Sequence, residues 1–63
     1  MIFAKYVRSN QPFGLEEEGL TRGFVYAVKR IDKERQRVCL EGFEDNTYNI
    51  KCFEFYKGTK IKI

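Results

Sequence analysis

Residues 23–41 read GFVYAVKRIDKERQRVCLE, and this segment decides the fold class. Its first half is rich in β-branched and aromatic residues, and in its second half Val38 and Leu40 alternate with Cys39 and Glu41. A period of two is typical of a strand with one buried face. A helix is excluded here, because Val38 and Leu40 have no apolar partners three or four residues upstream. The segment therefore predicts a β-hairpin whose turn is formed by the polar residues 32–36.

The sequence on either side of this hairpin extends the all-β pattern. Predicted strands cover residues 2–8, 23–31, 36–43, 46–51 and 59–63. Ser9–Gly19 is predicted to be a long loop, and Cys52–Tyr56, too apolar for an open loop, is predicted to be a 3₁₀ turn. Short strands joined by tight turns favour a small, partly open barrel. Its predicted core consists of Val7, Val25, Val28, Leu40, Ile50, Phe53 and Ile61.

Length and composition describe one small domain covering residues 1–63. The chain is 43% hydrophobic and 16% aromatic, which excludes intrinsic disorder, and its net charge of +3 neither requires nor excludes a nucleic-acid partner. No apolar run approaches the roughly 20 residues of a membrane helix, and the first residues lack the layout of a signal peptide. We therefore expect a cytoplasmic protein that does not contact a membrane.

The chemistry available for catalysis is sparse. The chain contains no His, and its one Ser, Ser9, lies in a predicted turn without a base to activate it. Its two cysteines, Cys39 and Cys52, cannot form a four-ligand zinc site by themselves, and they are expected to be reduced, buried thiols. We therefore expect no enzymatic activity, no cofactor, no metal ion and no small-molecule substrate.

Two segments resemble the small SH3-like domain proteins of bacteriophages and their hosts. Residues 20–28, LTRGFVYAV, are similar to the family pattern L-T-x-G-x-x-Y-x-V, and residues 48–53, YNIKCF, resemble the strand before the 3₁₀ turn. This resemblance implies a five-stranded SH3-like barrel, phage or prophage origin, action in the cytoplasm of a bacterial host, and no catalytic residues. It also implies a binding groove between the first loop and the 3₁₀ turn.

The hairpin from Gly23 to Gly42 also resembles the KOW motif of ribosomal proteins and transcription elongation factors. The central glycine of that motif is replaced here by Tyr26, which lacks the backbone freedom of glycine. The KOW resemblance implies a nucleic-acid-binding function.

Two binding surfaces follow from these patterns, and a third role as a small structural or assembly subunit stays open. The first is an aromatic groove for a host protein, because six Phe and four Tyr exceed what so small a core needs and exposed aromatic side chains favour interfaces. Its predicted residues are Phe13, Glu16, Glu17, Glu18, Tyr48, Phe55 and Tyr56. The alternative is a phosphate-contacting arm. Its predicted residues are Lys29, Arg30, Lys33, Arg35 and Arg37. The sequence leaves the partner's identity and the oligomeric state open.

Overall fold

A computed structural model describes residues 1–9 and 14–63 of the chain. The described residues are all-β, and their strands are β1 (Phe3–Tyr6), β2 (Val25–Asp32), β3 (Arg37–Leu40), β4 (Tyr48–Asn49), β5 (Phe53–Lys57) and β6 (Thr59–Ile61). Two 3₁₀ helices, η1 (Leu15–Glu18) and η2 (Ile50–Cys52), are the helical elements of this part of the chain. No helix in the described ranges is long and apolar enough to cross a membrane.

The strands form one antiparallel sheet in the order β4-β3-β2-β1-β5-β6. Strand β2 belongs to both halves of this sheet. Its first half, Val25–Ala27, pairs with β1, and its second half, Val28–Asp32, pairs with β3. The register shifts between Val28 and Arg30, and such a bulge bends the strand and increases its twist. The long central strand can therefore carry the sheet around the core.

Six strands are present where five were predicted, and the difference lies in residues 50–57. The 3₁₀ turn occupies Ile50–Cys52, because the Asn49 side chain accepts a hydrogen bond from the Lys51 backbone N–H and starts the turn there. The segment Phe53–Lys57, whose first four residues were assigned to the turn, is strand β5. Its residues alternate between buried and partly exposed, which is the period-two pattern that the turn prediction overlooked.

The core lies on the inner face of the sheet and is capped by the first loop. Its buried residues are Ala4, Tyr6, Leu15, Leu20, Val38, Leu40, Tyr48, Ile50, Cys52, Phe53 and Phe55. Of the predicted core, Leu40, Ile50 and Phe53 are confirmed, and Val7, Val28 and Ile61 are half-buried. Val25 was wrongly placed in the core. Its side chain is 55% exposed, because its neighbour Tyr26 pairs with buried Ala4 and takes the inward position.

Aromatic rings fill much of this core. Phe53 lies at the centre, with ring centroids 5.9 Å from Tyr6, 6.4 Å from Tyr48 and 6.2 Å from Phe55. Tilted ring pairs at these separations are favourable beyond the area they bury. These four aromatic side chains are buried in the core, whereas Phe3 and Phe24 are exposed, as was expected for some members of the aromatic set.

Candidate functional site

The described end of the first loop, from Gly14 onward, is held against the sheet by the hydroxyl group of Tyr6, whose side chain is fully buried. This hydroxyl donates a hydrogen bond to Oε1 of Glu16 over 2.8 Å and accepts one from the Leu15 backbone N–H over 3.0 Å. The Arg22 guanidinium approaches the same hydroxyl and pairs with Oε2 of Glu16 at 3.4 Å. Gly14 leaves room for this carboxylate, since a Cβ there would overlap Oε1. Glu16, predicted to contact a partner, is thus committed to fixing the loop.

Because of this network, the free energy of unfolding is expected to decrease as the pH falls through the acid range. The hydrogen bond from Tyr6, supported by the backbone N–H of Glu16 and by Arg22, lowers the pKa of Glu16 below its ordinary value of 4.5. A carboxyl group whose pKa is lowered by folding stabilises the protein above its unfolded pKa. That stabilisation disappears as the pH falls through the lower pKa of the folded state.

We expect Glu16→Gln to weaken the dependence of the unfolding free energy on pH below the ordinary carboxyl pKa. The measurement is denaturant unfolding of the native protein and the variant across the acid range. Glu17→Gln is the matched control, because the Glu17 carboxylate makes no hydrogen bond or ion pair with any described residue. An equal change in the two variants would contradict the role of the Tyr6 network.

Glu16 belongs to an acidic cluster, residues 16–18, whose other two members line a polar groove. Glu18 accepts a hydrogen bond from Nδ2 of Asn46 over 2.9 Å, which joins the first loop to the segment between β3 and β4. A groove of about 310 Å³ lies between these segments and is lined by Glu17, Glu18, Asn46 and Thr47 among others. Burial raises the pKa of the Tyr48 phenol, which lines this groove, and the Glu18 carboxylate adds to the rise. The lining of this groove is therefore mainly polar, and it combines the acidic Glu17 and Glu18 with the basic Arg37.

The described members of the predicted aromatic groove do not come together on one surface. Tyr48 and Phe55 were expected to be exposed or partly exposed, but each is only 4% exposed, because both rings pack against Phe53 in the core. Tyr56 lies on the outer face of the sheet, beside Phe3, and its hydroxyl donates to Oε1 of Glu54 over 2.9 Å. Phe13 lies outside the described residues. The inward and outward positions of β5 thus separate Phe55 from Tyr56.

Three of the five predicted hairpin residues converge on the outer face of the sheet. Arg30, Arg35 and Arg37 line a shallow depression of about 180 Å³ together with Asp32, Cys39 and Thr47. Arg37 is held by Thr47, since its Nε donates to the hydroxyl oxygen over 3.2 Å and its Nη2 donates to the carbonyl oxygen over 2.6 Å. Arg35 pairs with Asp32 at 3.8 Å, whereas Arg30 makes no side-chain hydrogen bond or ion pair with the described residues. This depression is a candidate site for an anion.

The remaining hairpin residues, Lys29 and Lys33, face a different feature. They line a groove of about 690 Å³ that separates β6 from the second half of β2. Lys29 also pairs with Glu44 at 3.6 Å. We call this feature the terminal groove, because both chain ends contribute to its lining. Its full lining is Met1, Ile2, Val28, Lys29, Arg30, Ile31, Lys33, Glu41, Lys57, Ile61, Lys62 and Ile63.

The terminal groove has an aliphatic floor and a basic rim. Its Ile and Val residues are half-buried and pack against the core, so that the floor is an opening of the hydrophobic interior toward solvent. Its rim carries Lys29, Arg30, Lys33, Lys57 and Lys62, against the acidic side chain of Glu41. Sequence reasoning missed this site. The available signal was the alternation of Ile61 and Ile63 with lysines in the last segment, together with Ile2 immediately before β1.

Both cysteines are buried, as predicted, and their reduced state stays a prediction. Cys52 belongs to the core. Cys39 lies opposite Arg30 across β2 and β3, and it lines the depression formed by Arg30, Arg35 and Arg37, which we call the arginine depression. Among the described residues, no three His, Cys, Asp or Glu side chains are grouped so that they could hold a metal ion.

Comparisons with known proteins gave no assignment: no family model matches the chain, and no curated protein or solved structure is significantly similar to it.

Proposed function

We propose that this protein is a small, non-enzymatic SH3-like binding module, of bacteriophage or prophage type, that engages a protein partner in the bacterial cytoplasm. The terminal groove is the binding site in this proposal, and it replaces the aromatic groove expected from the sequence. The strand β2 shared between two halves of the sheet, the long first loop and η2 before β5 support the SH3-like assignment.

The observation that carries the proposal is the combination of an aliphatic floor with a basic rim. A partner that covers the floor of the groove is stabilised by about 25 cal/mol per Å² of apolar surface removed from water. The half-buried floor residues are Ile2, Val28, Ile31, Ile61 and Ile63. The rim charges select a partner that is acidic, since like charges across an interface are unfavourable. The expected ligand is therefore a protein segment that carries both aliphatic and acidic side chains.

Nucleic acid fits this groove less well. Proteins that bind single strands combine basic residues with aromatic side chains on which the bases stack. The lining of the terminal groove is basic, but its apolar residues are aliphatic. A nucleic acid would find phosphate contacts there without a stacking platform.

The arginine depression favours a second candidate function, binding of a nucleic-acid backbone. Arg30, Arg35 and Arg37 share one concave surface, and Thr47 fixes the position of the Arg37 guanidinium. Guanidinium groups suit phosphate oxygens, and this contact carries no base specificity. Arg30 lines both the depression and the terminal groove, but Arg35 lines the depression and not the groove, and Lys62 lines the groove and not the depression. Substitutions of Arg35 and Lys62 therefore separate the two functions.

A peptide titration tests the proposed function. The probe is a short, capped peptide of alternating Glu and Val residues, titrated into the isotopically labelled protein and followed by NMR. We expect shifts at the terminal groove, and Lys62→Glu is expected to weaken binding about fivefold, because one rim charge contributes about 1 kcal/mol. Arg35→Glu is the matched control, since it changes the net charge equally but lies outside the groove.

Two further ligands complete this experiment. A matched peptide of alternating Lys and Val residues is expected not to bind, because it places like charges against the rim. If the Glu–Val peptide fails to bind and a single-stranded oligothymidine binds in a salt-sensitive manner that is lost in Arg35→Glu, the groove proposal is overturned and the nucleic-acid function replaces it.

A further inference from the structure

Strand β6 (Thr59–Ile61) is an edge of the sheet. It pairs with β5 through Phe55, Tyr56 and Lys57, and no other strand in the described ranges pairs with its opposite side. An edge of this kind presents unpaired backbone N–H and C=O groups, which can accept a strand from another chain.

The position of this edge relates it to the terminal groove. Ile61 lies on the inner face of β6, opposite buried Phe55, and both Ile61 and Ile63 line the groove. Side chains on a strand alternate between the two faces of a sheet. A strand added to β6 would therefore place every second side chain on the same face as Ile61, toward the aliphatic floor.

The opposite face of β6 carries positive charge. Lys60 lies on the outer face, across from Tyr56, and pairs with Oε2 of Glu54 at 3.3 Å, while Lys62 makes no side-chain hydrogen bond or ion pair with the described residues. Two copies of this chain joined through β6 would bring their lysines together, and like charges on neighbouring strands are unfavourable. An added strand with acidic residues on its outer face would instead pair with them.

We propose that the partner segment binds as an extended strand that adds to the free edge of β6, with aliphatic side chains alternating into the terminal groove and acidic side chains beside Lys60 and Lys62. This inference rests on the proposed function, because it specifies how an acidic, aliphatic segment occupies the same groove. The added strand closes the open side of the sheet between β6 and the second half of β2.

Backbone methylation of the peptide tests this binding mode without altering the protein. Two derivatives of the Glu–Val peptide are compared with the parent, one N-methylated at its central Glu residues and the other at its central Val residues. In an added strand, the N–H groups of alternate residues point to the neighbouring strand. One derivative is therefore expected to lose at least about tenfold in affinity and the other to stay within about threefold of the parent peptide.

The outcomes separate this inference from the proposed function. A loss confined to one of the two derivatives, with NMR shifts of the backbone amides of Thr59–Lys62, supports strand addition. Equal affinities of the two derivatives, with the parent peptide still bound in the groove, overturn strand addition and leave the proposed function standing. Failure of the parent peptide to bind overturns both.

Discussion

The Tyr6→Phe variant is expected to have a free energy of unfolding that is lower by about 2 kcal/mol and to lose the ordered contact of Leu15 and Glu16 with the sheet. The hydroxyl that is removed is buried and joins two groups of that loop, the Glu16 carboxylate and the Leu15 backbone N–H. A buried donor that loses its acceptor costs more than the net value of the hydrogen bond, since its desolvation is no longer compensated. The Phe ring keeps the packing against Phe53, so that the effect isolates the hydroxyl group.

Tyr56→Phe is the matched control for this prediction. The Tyr56 hydroxyl also donates to a carboxylate, but it lies on the partly exposed outer face, where water can replace it. We expect its loss to cost under about 0.5 kcal/mol. Denaturant unfolding gives both values, and hydrogen exchange at the Leu15 amide reports the release of the loop. Equal losses in the two variants, or unchanged protection of Leu15, would show that Tyr6 does not anchor the loop.

Sequence reasoning succeeded where polarity alternates. In residues 37–40, Val38 and Leu40 are inward and buried, and the last segment is an edge strand with outward Lys60, as the alternation of its lysines predicted. The hairpin turn also follows local chemistry, because the Asp32 carboxylate accepts a hydrogen bond from the Arg35 backbone N–H. In each case the deciding interaction is local, so the sequence contains it.

The prediction from sequence failed where both faces of a strand are apolar. In residues 24–28 every side chain is apolar or aromatic, and a one-residue change of phase exchanges Val25 with Tyr26 between surface and core. The phase is set by the pairing of Tyr26 with Ala4, which is a long-range contact. The burial of Tyr48 is a different case, because Tyr48 and Ile50 alternate with polar residues, and the inward position of Tyr48 opposite Val38 agrees with that alternation.

The candidate sites also divide into those set by local sequence and those set by long-range contacts. The arginines of the hairpin are close in sequence, and their convergence on one depression was accessible from a two-stranded ribbon. The terminal groove unites Ile2, Val28 and Ile61, which are separated along the chain and meet because β1 lies between β2 and β5 in the sheet. The acidic cluster illustrates the reverse case. The three adjacent glutamates have different roles. The Glu16 carboxylate accepts a hydrogen bond from Tyr6 and the Glu18 carboxylate accepts one from Asn46, whereas the Glu17 carboxylate has no partner among the described residues.

The Leu40→Ala variant is expected to be the least stable of those considered, with a loss of about 3 kcal/mol. Leu40 is completely buried, and it lies opposite Val28 at the point where the register of β2 shifts. Its truncation leaves a cavity that the bulged strand cannot close without moving both halves of the sheet. A domain of this size has a total stability on the order of 3–9 kcal/mol, so the variant is expected to lose at least about a third of it.

Val25→Ala is the control for Leu40→Ala. Residues 25 and 40 were both predicted to be core positions, but only residue 40 is buried. Val25 lies on the outer face opposite Lys5 and is 55% exposed, so its truncation removes little buried surface and is expected to cost under about 0.5 kcal/mol. Leu40→Val, which removes less volume, keeps the comparison measurable if Leu40→Ala does not fold, and its expected cost is about 1 kcal/mol. Thermal and denaturant unfolding of the three variants give the order Leu40→Ala, Leu40→Val, Val25→Ala. If Val25→Ala costs as much as Leu40→Val, Tyr26 is not the inward residue of β2, and the phase that directs Val28 and Ile31 toward the terminal groove is wrong as well.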